Sequence, residues 1–192
     1  NADTAFSAGQ VRHAMALRER GFHVLSFDYR GFGRSPGTPS ESNLLEDAEA
    51  AFRWLADQGV PPGDVIVWGH SLGSGPAVHL AARHPVAGLV TFGAFTSVPD
   101  RGAELYPWLP VRWIASIRFD NRLRIAEVRV PVVIVHAIGD RTIPVDHADT
   151  LFGVANEPKR ILKLQDLSQD GFGGHYEAAY EQLHLVLATM SE

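Results

Sequence analysis

The sequence contains no cysteine among its 192 residues, so disulfide bridges and thiolate metal sites are excluded, and the redox compartment stays open. No apolar run approaches the ~18 residues that a membrane-crossing helix needs. No run of five or more basic residues occurs, and the formal net charge of −5 gives no electrostatic case for a nucleic-acid partner. The nine histidines show no H-x-x-x-H or H-E-x-x-H spacing, so no metal site is expected. Internal repeats and low-complexity tracts are absent as well.

What remains is ordinary globular material, 45% hydrophobic and 20% charged. The length suffices for one domain with a full core, so residues 1–192 are expected to form one. Short β-branched runs alternate with amphipathic stretches. The runs are residues 22–29 (FHVLSFDY), 64–69 (DVIVWG), 88–95 (GLVTFGAF), 130–136 (VPVVIVH) and 160–165 (RILKLQ). They are almost continuously apolar, as strands are when helices cover both faces of a sheet. Helices are expected at residues 5–20, 44–58, 71–83, 144–155 and 176–190. Ser42 and Asn43 before the second and Pro144 at the start of the fourth suit N-termini, and Gly21 and Gly59 suit helix ends. This order predicts a doubly wound, mostly parallel α/β sheet. One connection, residues 96–127, is too long and too aromatic for a simple crossover.

The stretch Gly69-His70-Ser71-Leu72-Gly73 ends a strand and opens a helix. In such sheets, sites form at the carboxyl ends of strands. A tight turn there lifts the serine hydroxyl out of the sheet, glycines at the flanking positions relieve crowding, and the helix aims its N-terminal amides at the same point. The plainer reading is an N-cap serine in a glycine-rich turn. A serine nucleophile needs a histidine base oriented by a carboxylate, in the chain order Ser, acid, His. Asp140 follows a later strand and is the favoured acid, against a turn or cap role; Asp166 is its rival, and Asp146 and Asp149 fit worse. His175, after Gly173 and Gly174 and beyond the last strand, is the favoured base. His184 falls mid-helix, His147 lies too near Asp140, and His136 suits a structural hydrogen bond.

Together DYRGFGRS (28–35), GHSLGSG, HAIGDRTIP and the GGH ending at His175 resemble the α/β-hydrolase superfamily. The likeness is closest to abhydrolase-domain serine lipases of lysophospholipid and monoacylglycerol type and their bacterial relatives. That resemblance implies Ser71 as nucleophile, Asp140 as acid and His175 as base, with no cofactor. It implies an oxyanion hole made by the Leu72 N–H and by a second amide from a loop whose tail resembles Asn1-Ala2. It also places a further strand in the sheet between residues 22–29 and 64–69. The expectation is therefore a fragment of a longer protein, with N-terminal strands missing and a gap inside the sheet. Residues 96–127 would form a short helical cap, with Tyr106, Trp108, Leu109, Trp113, Ile114 and Phe119 lining an acyl pocket or, alternatively, packing the cap. Residues 28–35 would shape the rim, or be turn geometry alone.

The expected activity is hydrolysis of carboxylic esters, of acylglycerol or lysophospholipid type, through an acyl-enzyme on Ser71. The partner is a small-molecule acyl ester or lipid, and contact with a membrane surface is compatible with it. A peptidase or thioesterase of the same fold and a non-catalytic binding protein or inert fragment are the alternatives. Compartment and oligomeric state are left open.

Overall fold

The computed structural model describes residues 7–165. Helix α1 spans Ala8–Glu19 and α2 Glu41–Asp57; strand β1, Ile66–His70, runs through a single 3-10 turn, Ser71–Gly73, into α3, Ser74–Arg83. Strand β2, Gly88–Phe92, is followed by three short helices, α4 (Val98–Leu105), α5 (Val111–Ile114) and α6 (Asn121–Ile125). Strand β3, Val132–Ala137, helix α7, Asp146–Val154, and strand β4, Lys159–Leu164, complete the order.

The strands form one parallel sheet in the order β1-β2-β3-β4, with Ile66 opposite Gly88, Leu89 opposite Val132 and Val132 opposite Lys159. β2 and β3 are buried at every position, because both faces are covered. The period-2 alternation divides the strand side chains between the faces. Val67, Leu89, Val132 and Ile134 pack against α2, α3 and α7 through Phe52, Val78 and Leu151. Val90, Phe92, Val133 and Val135 lie on the opposite face with Leu17 of α1. Glu49 fastens α2 to α3 and to the residue that ends it: its carboxylate accepts from His79 Nε2 at 3.1 Å and from His84 Nε2 at 2.9 Å.

Two expectations change. Helix α2 starts earlier than Ser42-Asn43 suggests: Ser40 is the cap, its hydroxyl accepting the Asn43 N–H at 3.1 Å. Residues 22–29 are not a strand. A strand exists by pairing, and among the described residues this segment has no ladder partner. Instead a cleft of about 840 Å³, lined by Phe22, Val24 and Phe27 on one side and Ile66 and Trp68 on the other, separates it from β1. That is where the resemblance places a further strand. The expected helix at 176–190 lies outside the described residues.

Candidate active site

Ser71 follows the last residue of β1 with φ +50°, in the left-handed region where a side chain is strained. Gly69 makes the corner possible, since a Cβ there would stand 2.6 Å from both the Gly73 carbonyl oxygen and the Ala77 Cβ. Gly75 serves a different contact: a Cβ would enter the Phe119 ring, 2.5 Å from Cγ. Leu72, next to the serine, packs its side chain into a cluster with Leu44, Phe95, Phe119 and Ile143. That anchorage, with the turn leading into α3, fixes the orientation of the Leu72 peptide.

Asp140 lies beyond the carboxyl end of β3, held by its own loop. Its Oδ1 accepts the N–H of Thr142 at 2.7 Å and of Ile143 at 2.9 Å. Its Oδ2 is turned toward the end of β2, 3.6 Å from the place a Gly93 Cβ would occupy. Ile143 and Leu72 share one apolar cluster, so the acid loop and the serine corner rest on the same support. His136 is fully buried and donates from Nε2 to the Ile143 carbonyl at 2.7 Å. Burial pushes its pKa down, so it holds the loop as a neutral ring. Its Nε2 stands 3.9 Å from Asp140 Oδ2, too far for a hydrogen bond.

Further residues, not singled out by their spacing, complete the support. Arg101 of α4 donates from Nε to the Thr142 carbonyl at 2.5 Å and from a terminal nitrogen to the Arg141 carbonyl at 3.3 Å, tying α4 to the acid loop. Buried His147 accepts the Thr96 N–H at Nδ1, 3.1 Å away, and donates from Nε2 to Glu104 at 3.1 Å. Asn121, 1% exposed, donates to Ser74 Oγ at 3.1 Å and to the Phe95 carbonyl at 3.0 Å. A single asparagine or arginine carries no periodic signal, so only the fold reveals these roles.

The rim, residues 28–35, is built as a turn. Gly31 and Gly33 have φ of +79° and +53°. Asp28 accepts the Arg34 N–H at 3.2 Å, and Arg30 reaches back to Asp47 and Glu46 on α2. Arg30 is therefore committed to α2.

The expected cap residues separate. Phe119 is in the core, 1% exposed, against Gly75, which corrects its assignment to an acyl pocket; Glu41 holds it there by accepting the N–H groups of Arg118 and Phe119. Tyr106, Trp108, Leu109, Trp113 and Ile114 are on the surface, with Trp108 74% and Trp113 88% exposed, and none lines the cleft beside β1. His175, Asn1 and Ala2 lie outside the described residues.

Residues 7–130 match the family described as alpha/beta hydrolase fold. The chain belongs to that family. One similar protein is the uncharacterized protein Rv2307c of Mycobacterium tuberculosis, 43% identical over 150 residues covering 78% of this chain and 53% of that protein. Another is lysophosphatidylserine lipase ABHD12 of Xenopus tropicalis, 34% identical over 182 residues covering 85% of this chain and 46% of that one. The chain spans about half the length of the curated relatives it matches. Among solved structures, Est1E of Butyrivibrio proteoclasticus, bound to ferulic acid, superposes with a TM-score of 0.79 at 16% identity, over 100% of this chain and 86% of that one. The monoacylglycerol lipase of Paleococcus ferrophilus gives 0.71 at 17% identity, over 96% and 91%. At these identities the likeness concerns the alpha/beta hydrolase fold, of which the described sheet is a portion.

Proposed function

We propose that this α/β hydrolase cleaves carboxylic esters by nucleophilic catalysis at Ser71. The observation that carries the reading is the strained corner: a serine at φ +50° at the carboxyl end of β1, with a carboxylate, Asp140, beyond the end of β3 over the same apolar cluster. A serine that only capped the following helix would sit in extended backbone, as Ser7, Ser40 and Ser97 do at the caps of α1, α2 and α4. Strain at φ +50° is kept where geometry at that hydroxyl matters.

In the proposed reaction, Ser71 Oγ attacks the ester carbonyl carbon while His175 takes the hydroxyl proton. The Leu72 N–H faces the developing oxyanion, with Asn1 or Ala2 supplying a second donor. The carbon–oxygen bond to the leaving alcohol breaks and His175 returns the proton to it. Water, deprotonated by the same imidazole, then releases the acid from Ser71. Asp140 orients His175 and stabilises it when charged. The substrate class, acylglycerol or lysophospholipid, rests on the lipases among the similar proteins.

A fluorophosphonate probe on the 192-residue chain tests this reading. Labelling that disappears in Ser71→Ala is the expected result. Asp140→Asn keeps the Oδ1 acceptor and hence the loop, yet is expected to slow ester turnover on the order of 10³–10⁴-fold. An unlabelled, folded chain would instead favour the non-catalytic alternatives, a binding protein of this fold or an inert fragment.

A further inference from the structure

We propose that the face formed by residues 105–124 docks on the surface of an anionic phospholipid bilayer. The starting observation is the exposure of Trp113 at 88%, Trp108 at 74%, Ile114 at 64%, Tyr106 at 49%, Leu105 at 48% and Leu109 at 44%. These residues are nearly contiguous in the chain and lie on α4, α5 and the link between them. They are not loose: the Tyr106 and Trp108 rings meet edge to face with centroids 5.9 Å apart, and the side chain of Val111 fills the space left by Gly102. A folded surface seldom leaves two tryptophans and their apolar neighbours in water unless something covers them.

Charge selects the occupant. The protein carries a formal net charge of −5, but residues 105–124 hold four arginines (Arg112, Arg118, Arg122, Arg124) against one acid, Asp120. The face is thus apolar and basic on an acidic molecule. Arg112, 66% exposed, pairs with Asp100 at 3.0 Å, and Arg118 donates to the Arg112 carbonyl at 3.0 Å, so both guanidinium groups are held beside the apolar residues. Arg124 contacts His79 and is turned toward α3. Exposed pairs such as Arg112–Asp100 are weak and can be exchanged for lipid phosphate. Indole and phenol rings favour the boundary between headgroups and acyl chains, and arginines beside them reach the phosphates. The helices are too short to cross a bilayer, and no described helix is long and apolar enough to do so, so contact is in the plane of the surface. Arg101 joins α4 to the Asp140 loop, so the docked face holds a fixed relation to the serine corner. The inference does not depend on hydrolysis and can fail or hold separately from it.

The test is partition of the 192-residue chain onto extruded vesicles. One set is phosphatidylcholine alone; the other is phosphatidylcholine mixed with phosphatidylglycerol. Partition is read by co-sedimentation and by quenching of tryptophan fluorescence with brominated acyl chains. Binding to the anionic set at least tenfold above the neutral set is expected, declining with salt. The double substitution Trp108→Ala/Trp113→Ala should abolish the quenching while far-UV circular dichroism stays unchanged. Arg112→Gln/Arg118→Gln should remove the preference for anionic lipid and spare the fold. Equal binding to both sets, binding unchanged in the tryptophan variant, or no binding would each overturn the proposal. A concentration-dependent dimer in sedimentation velocity, abolished by the tryptophan substitutions in a chain that ignores vesicles, would assign the face to a second copy instead.

Discussion

At the scale of single residues, Ser71 carries a conformational cost that its hydroxyl chemistry would explain. A glycine at φ +50° escapes the clash between Cβ and the backbone but loses more freedom on folding. Ser71→Gly is therefore expected to raise stability by about 0.5–1 kcal/mol, measured by urea unfolding, while ester turnover and probe labelling vanish. A Ser71→Gly chain that is less stable than the parent would show the corner to be relaxed. The placement of Ser71 and Asp140 beyond strand ends could be read from the sequence because glycine punctuation and strand ends are local signals. Phe119 could not. The same aromatic ring suits an acyl pocket or a core, and only the contact with Gly75, on the far side of β2, α4 and α5 in the chain, decides between them. Asn121 and Arg101 were hidden for a related reason: each has a backbone carbonyl remote in sequence among its partners.

At the scale of elements, the junction of α3 with the segment between α5 and α6 depends on a glycine facing a ring. Gly75→Ala places a methyl group inside the Phe119 side chain and should destabilise the protein by about 1–3 kcal/mol. Phe119→Leu alone opens a void, but in the Gly75→Ala background it should recover part of the loss. A double-mutant cycle checks this: coupling near zero would mean the two side chains do not share the space. A second link, from Arg101 to the carbonyls of Arg141 and Thr142, makes α4 a support for the acid loop. Arg101→Ala is expected to lower kcat for ester hydrolysis more than it changes KM, with the fold intact by circular dichroism. Helices α1, α2, α3 and α7 were legible as amphipathic stretches, and four strands as short apolar β-branched runs; α4, α5 and α6 were expected only as one helical segment because each is too short to carry a period. Residues 22–29 have the composition of a strand, but composition does not supply a neighbour to pair with. The start of α2 was misplaced because Ser40 and Ser42 offer the same cap chemistry two residues apart.

At the scale of the whole molecule, acid should loosen the packing of α1 on the sheet. His13 lies against Trp68, ring centroids 4.8 Å apart, and burial lowers its pKa from an ordinary 6.5 to about 4. The unfolded chain takes up a proton below about pH 6.5 that the native protein refuses until about pH 4. Stability is therefore complete above the first value and lost progressively toward the second, by up to about 3 kcal/mol from this group. His136 shifts in the same direction. His13→Leu should flatten the decline in unfolding free energy between neutral and mildly acidic solution; an unchanged slope would place its origin elsewhere. The cleft beside β1 has another consequence. Its walls are apolar, Phe22, Val24 and Phe27 facing Ile66 and Trp68, so a small hydrophobic dye that brightens out of water should find shelter there in the native protein and lose it when the fold melts.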